Sequence, residues 1–349
     1  MLTLHNPLHR LHQGRQEMFR GRMIACHETV ERLDHVLREL ARRGLGPLRT
    51  PTLEDAALDA ALARLHRPAY LQFIEHAWQE WVALDPANAM HDVLPSVWPT
   101  RGMRQDVVPD SFAARLGLYS FDAGTPLTAG SWPAARGGAA CAIDAAREVA
   151  AGRAPCAFAL SRPPGHHAGR DFYGGYCFLN NTALAAQALR DAGAPRVAIV
   201  DIDYHHGNGT QDLFYDRDDV YTVSIHGDPR TEYPFFIGHA DETGQGCGAG
   251  FNLNLPLARG TDFATWRSAL DAARAAVRAF GAQALVVALG VDTFEGDPIA
   301  GFRLRSADYL VVGRDLRSLA LPTVFVFEGG YAVQEIGINA VNVLEGFAG

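Results

Sequence analysis

Apolar residues recur at every third or fourth position over residues 27–43, 54–64 and 69–83, with Leu33, Val36, Leu37 and Leu40 marking the first run. That spacing predicts three amphipathic helices in a first third that carries little chemistry. The period fails over 85–131, where Pro86, Pro95, Pro99, Pro109 and Pro126 interrupt it and no strand pattern emerges. A segment of this kind is a functional loop or a linker. Trp98, Phe112, Tyr119 and Phe121 give it too much aromatic surface for a disordered linker. From residue 132 the pattern alternates. Helices are predicted at 132–151, 179–192, 263–281, 306–320 and 333–347, and short apolar strands at 157–160, 197–202, 220–225, 251–255, 284–290 and 323–327. Such alternation predicts an α/β fold, with a mainly parallel sheet and helices on both faces. With 349 residues and 48% hydrophobic content the chain can form one large domain or two smaller ones.

The unusual polar residues fall just past four of the predicted strands, where open α/β sheets bind ligands. Strand 157–160 runs into Pro163-Pro-Gly-His166-His167, strand 197–202 into Asp203 and His205, strand 284–290 into Asp292, and strand 323–327 into Gly329-Gly330-Tyr331. Within Asp201-Ile-Asp203-Tyr-His205, alternation along an extended strand turns Asp201, Asp203 and His205 to one side. Burying such a set is unfavourable unless a cation sits among them. Asp203, His205 and Asp292 then supply three ligands and leave a fourth position for water, the pattern of a catalytic zinc site. Oxygen-rich ligation also suits Fe(II), Co(II) or Mn(II). The plainer reading makes Asp203 a turn cap and Asp292 a helix opener.

His166 and His167, stiffened by the preceding prolines, suit proton transfer, one accepting from water and the other donating to a leaving amine. Asp201 and Asn208 are candidates to orient them, and a carboxylate behind one ring with an amide behind the other pushes their pKa values apart. Gly329-Gly330 lets the backbone carry the Tyr331 phenol toward the metal as an oxyanion donor, against the alternative of core packing. Ser224 is a strand hydroxyl or, with the backbone carbonyls of Asp201, Asp203 and His205, part of an oxygen cage for a monovalent cation.

Composition removes several alternatives. All 31 basic residues are arginine, which excludes Schiff-base chemistry, a P-loop lysine and Ser-Lys hydrolysis. No G-x-S-x-G elbow is present. A net charge of −8 argues against nucleic acid as a partner. No run of 18 apolar residues and no signal-peptide pattern are present, so a soluble, cytoplasmic protein without a membrane partner is expected. The five cysteines, without CxxC spacing, fit reduced thiols.

The segments Arg162-Pro-Pro-Gly-His-His-Ala, Asp201-x-Asp-x-His-His-Gly-Asn-Gly-Thr, Ser224-Ile-His, Gly290-Val-Asp292 and Gly329-Gly-Tyr331 resemble, in order and spacing, the zinc-dependent deacetylases of the arginase–deacetylase superfamily. Phe172-Tyr-Gly-Gly-Tyr-Cys-Phe and Val291-Asp-Thr-Phe-Glu-Gly-Asp-Pro look most similar to the bacterial acetylpolyamine amidohydrolases. The resemblance implies one deacetylase domain over 1–349 with the arginase–deacetylase fold, its active site at the carboxyl ends of the strands. It implies zinc on Asp203, His205 and Asp292, His166 bonded to Asp201, His167 paired with Asn208 as general base and acid, and Tyr331 polarising the carbonyl. It implies structural potassium at Asp201, Ser224 and Ile225 with the backbone of Asp203 and His205, and a second potassium at Phe214, Arg217, Val220 and Phe251. Tyr176 would line the acyl channel opposite Phe235 or a neighbour. The 85–131 insertion would form a homodimer interface and a tunnel wall, with Glu17, and less directly Asp110 or Asp106, meeting a cationic tail. For Glu17 a solvated loop residue is the alternative. Asn208, aspartate in eukaryotic deacetylases, agrees with the polyamine branch. The expected substrate is a small cationic acetylated amine; a broader lysine deacetylase or short-chain amide hydrolase is the alternative.

Overall fold

Val197–Asp201, Ala284–Leu289 and Thr323–Phe327 are buried at every position, not at alternate ones. Strands of that kind need cover on both faces of their sheet. The computed structural model describes residues 1–349 and supplies that cover. The chain opens with β1 (Leu2–His5), a hairpin of β2 (Gln16–Phe19) and β3 (Arg22–Ala25), α1 (Glu31–Arg43), the two-residue β4 (Leu48–Arg49), α2 (Asp55–Leu65) and α3 (Pro68–Leu84). Then come α4 (Phe112–Leu118), α5 (Ser131–Ala150), β5 (Cys156–Leu160), α6 (Asn181–Asp191), β6 (Val197–Asp201) and α7 (Asn208–Phe214). The chain closes with β7 (Val220–Gly227), β8 (Asn252–Leu257), α8 (Phe263–Phe280), β9 (Ala284–Leu289), α9 (Asp308–Arg317), β10 (Thr323–Phe327) and α10 (Ile336–Ala348).

Eight strands form one sheet in the order β4-β1-β5-β10-β9-β6-β7-β8. Every pairing in it is parallel, so the carboxyl ends of the strands share one edge. A core containing Leu58, Leu62, Tyr70, Ala142 and Leu184 fills one face, and another containing Leu33, Trp266, Leu270, Val312 and Val341 fills the other. No helix is long and apolar enough to cross a membrane.

The expected α/β architecture is present, with differences at its start. The sheet has two strands more than the six predicted, β1 and β4, and the first third is not purely helical. Leu2 and Leu4 of β1 are buried beside β5, but four residues are too few to leave a readable period. Helix α7 begins inside a polar run, Asn208-Gly-Thr-Gln-Asp, whose sequence carries no apolar stripe. The 85–131 segment is ordered by α4, by bridges from Val93 to Leu127 and Ser120 to Tyr173, and by burial of Phe112 and Tyr119.

Candidate active site

Strand β6 stops at Asp201, so Asp203 and His205 lie beyond it and not on its face. Two side-chain turns replace the expected alternation. Asp201 Oδ1 accepts from the Asp203 amide at 3.0 Å, and Asp203 Oδ1 accepts from the His205 amide at 2.9 Å. Each aspartate thereby mimics a backbone turn two residues on. Past β9, Asp292 Oδ1 accepts from the Tyr204 amide at 2.8 Å, and the Gly329 amide, past β10, donates to Asp203 Oδ2 at 2.8 Å.

These bonds bring three buried potential ligand atoms, from Asp203, His205 and Asp292, to within 4.8 Å of one another. His205 Nδ1 lies 2.9 Å from Asp292 Oδ2 and 3.4 Å from Asp203 Oδ1. Burial, and then the neighbouring Asp203, push the Asp292 carboxyl up to about 8, the mark of a site crowded with negative charge. A Cβ on Gly329 would sit 2.5 Å from Asp203 Oδ2 and 2.7 Å from Asp292 Oδ2, so glycine keeps space beside both carboxylates. Two carboxylates and one imidazole in a dry site fit a divalent cation with an open position.

The histidine pair is fixed from behind. Glu328 accepts from the amides of Gly165 at 2.6 Å and His166 at 3.1 Å, and from the Thr182 hydroxyl at 2.6 Å. His166 Nδ1 is 2.9 Å from Asp201 Oδ2, and His167 Nδ1 is 2.6 Å from Asn208 Oδ1. The two rings are 4.0 Å apart. Burial alone would lower the His166 pKa, but Asp203 and Asp201 overcome it and raise it to about 10. Burial, then His166 and His205, hold His167 well below 6.5. Because an amide oxygen only accepts, the His167 proton sits on Nδ1, and Nε2 is free to take another.

Tyr331 follows Gly330, whose φ of +128° no other residue adopts easily. Its ring lies 4.8 Å from the Arg32 guanidinium and 5.5 Å from the Tyr176 ring, and burial keeps its hydroxyl protonated. Above the ligands a cleft of about 550 Å³ opens, with His167, His205, Asn208 and Tyr331 in its lining. Tyr176 forms one wall, and its hydroxyl donates to Glu17 Oε1 at 3.0 Å. Glu17 is buried on β2 with its carboxylate 2.7 Å from His27 Nδ1, which replaces the solvated-loop alternative.

Phe235 and its neighbour Tyr233 both line the cleft with Tyr176: Tyr233 lies 5.2 Å from the His167 ring and 5.8 Å from that of Phe121, and Phe235 is 47% exposed at the rim. One expectation needs correction. Asp110 is exposed and does not line the cleft of the single chain, and the exposed Asp106 is paired with Arg104. The expected potassium residues are brought near one another. Ser224 pairs with Asp201 across the sheet and its hydroxyl lies 2.8 Å from His226 Nδ1; Ile225 is buried beside it. The Phe214 carbonyl accepts from the Arg217 amide at 3.0 Å, and that of Phe251 accepts from the Thr222 amide at 3.1 Å, close to Val220.

Sequence reasoning missed Tyr233, Asp122, Glu328 and a buried ion cluster. In that cluster Glu28 meets Arg162 at 2.7 and 2.8 Å and Arg32 at 2.8 Å, and Arg32 donates to the carbonyls of Gly330 and Glu328. Arg162 inside an otherwise uncharged Pro-Pro-Gly turn was the available signal.

The histone deacetylase domain profile matches residues 26–347. The chain is 54% identical to acetylpolyamine amidohydrolase 2 of Pseudomonas aeruginosa, covering 100% of this chain and 99% of that protein. It is 44% identical to the acetylpolyamine amidohydrolase of Mycoplana ramosa, covering all of both chains. The solved acetylpolyamine aminohydrolase of Burkholderia pseudomallei superposes with a TM-score of 0.93 at 37% identity, over 100% of this chain and 99% of that one.

Proposed function

The chain belongs to the histone deacetylase family, and on that premise we propose that it is an amidohydrolase releasing acetate from N-acetylated polyamines and diamines. The observation that carries this reading is a neutral, oriented His167 beside a buried two-carboxylate, one-imidazole set at the floor of an aromatic cleft. The near full-length relatives named for acetylpolyamines support the substrate class. Asp203, His205 and Asp292 would hold a zinc ion, or Fe(II) or Co(II), which when bound polarises a carbonyl and acidifies water.

His167 Nε2 takes the proton of the attacking water while Asn208 holds its Nδ1–H. Asp201, 2.9 Å from His166 Nδ1, orients that ring beside His167. Tyr331 donates its hydroxyl to the oxyanion forming on the acetyl carbonyl. His167 then returns its proton to the leaving amine. Tyr176, Tyr233 and Phe121 confine a thin methylene chain between flat rings.

Potassium at Asp201, Ser224 and Ile225, and a second ion at Phe214, Arg217, Val220 and Phe251, would brace β6, α7 and β7. The 85–131 segment would pair two copies, its exposed Val97, Met103, Val107 and Val108 offering apolar surface for that contact. The test is acetate release from acetylputrescine and acetylcadaverine by the zinc-loaded protein. A companion Asp203→Ala variant should lose the metal by elemental analysis; full metal content would refute the ligand set.

A further inference from the structure

Arg20 occupies the tight turn between β2 and β3 at φ +49°, exposed, in the cleft lining beside Phe19 and the 92% exposed Phe236. It therefore belongs to the mouth. Its guanidinium lies 5.0 Å from the Phe19 ring, and no carboxylate of the chain pairs with it. Of the three acids of the lining, Glu17 lies 2.7 Å from His27 Nδ1 and Glu232 is paired with Arg259 at 3.1 Å. Asp122 meets only neutral donors: the Gly124 and Gly175 amides at 3.0 and 2.7 Å and the Tyr233 hydroxyl at 2.7 Å. The cleft thus offers an uncompensated carboxylate and, at its mouth, an uncompensated guanidinium. An acetylated diamine brings one ammonium and answers only the first of these. An α-amino acid head brings an ammonium and a carboxylate on one carbon and answers both.

We infer that the site also hydrolyses free Nω-acetylated diamino acids, Nε-acetyllysine being the case at hand, with Arg20 receiving the α-carboxylate. This rests on the deacetylase reading above. Nε-acetyllysine is acetylcadaverine with one carboxylate added, so the same methylene chain spans the aromatic walls. In the reaction water adds to the acetyl carbon, the C–N bond breaks, the ε-nitrogen takes a proton from water, and acetate and lysine leave. An acetyllysine inside a peptide has no free α-carboxylate and gains nothing from Arg20.

The test compares kcat/KM for acetylcadaverine, Nε-acetyllysine and Nε-acetyllysine amide in the zinc-loaded wild type, Arg20→Asn and Arg20→Lys. Asparagine tolerates the left-handed turn, so folding is kept. Arg20→Asn should lower kcat/KM for Nε-acetyllysine about tenfold, through KM, the scale of one charge-assisted contact. It should raise kcat/KM for acetylcadaverine and the amide, because a like charge near their ammonium is gone. Arg20→Lys should restore most of the loss. Calorimetric binding of Nε-acetyllysine to a Tyr331→Phe background should weaken in parallel when Arg20→Asn is added. The inference is overturned if the acetyllysine to acetylcadaverine ratio moves by less than about twofold in Arg20→Asn, or if the wild type hydrolyses acetylcadaverine but not Nε-acetyllysine. If acetylcadaverine itself is untouched, the reading beneath it falls as well.

Discussion

Tyr331 is packed between the Arg32 guanidinium and the Tyr176 ring, so removing its hydroxyl deletes a donor without opening space. Tyr331→Phe should keep metal content and thermal midpoint while kcat drops about 10²–10³-fold, the loss typical of one oxyanion donor. Near-normal turnover would strip Tyr331 of that role. The candidate ligand set and the histidine pair were legible in the sequence because each lies directly past an apolar strand, a position the chain order alone reveals. Tyr233 was not. It follows a loop with no period, and two more aromatic residues, Phe235 and Phe236, stand within three positions of it. Only the fold shows which ring turns inward.

The element that positions Tyr331 is the β10 exit loop, and Arg32 of α1 clamps it by bonding the Glu328 and Gly330 carbonyls. Arg32 and Arg162 are both fully buried and share Glu28. Burial would raise the Glu28 carboxyl, but Arg162 and Arg32 hold it below its ordinary value. Glu28→Gln leaves two buried cations without an anion, which should cost about 3–5 kcal/mol. A urea midpoint near that of the wild type would contradict this account of the clamp. Helices α1–α3 and the later β/α alternation were readable because each buries a full face over ten or more residues, or a whole apolar strand. The hairpin β2–β3 and strand β1 were hidden by their length. With them went the route by which Glu17, Glu28 and Arg32 reach the site: a Glu28/Arg32 pair four residues apart reads in sequence as an ordinary helix-surface pair.

Across the whole molecule, several imidazoles are buried in their neutral form. His66 shows why: its Nδ1 donates to the Gly169 carbonyl at 2.8 Å while Nε2 accepts from the Asn180 amide at 3.1 Å, leaving no place for a second proton. Burial lowers His66 to about 4, and lowers His12 and His226 to about 4 as well. Below pH 6.5 the unfolded chain takes up protons that the folded chain refuses. Stability is therefore complete above pH 6.5 and is lost as pH falls from 6.5 toward 4, by at most about 3 kcal/mol per histidine. The thermal midpoint should drop between pH 7.5 and pH 5; a flat profile would contradict neutral burial. The central claim, deacetylation of small acetylated amines, is tested most directly by the ratio of kcat/KM for acetylcadaverine to that for an internal acetyllysine peptide, measured as acetate release by the zinc-loaded protein. The expected ratio is above about ten, more than about 1.4 kcal/mol of discrimination. A peptide turned over as well as the diamine, or no acetate from either, would contradict it.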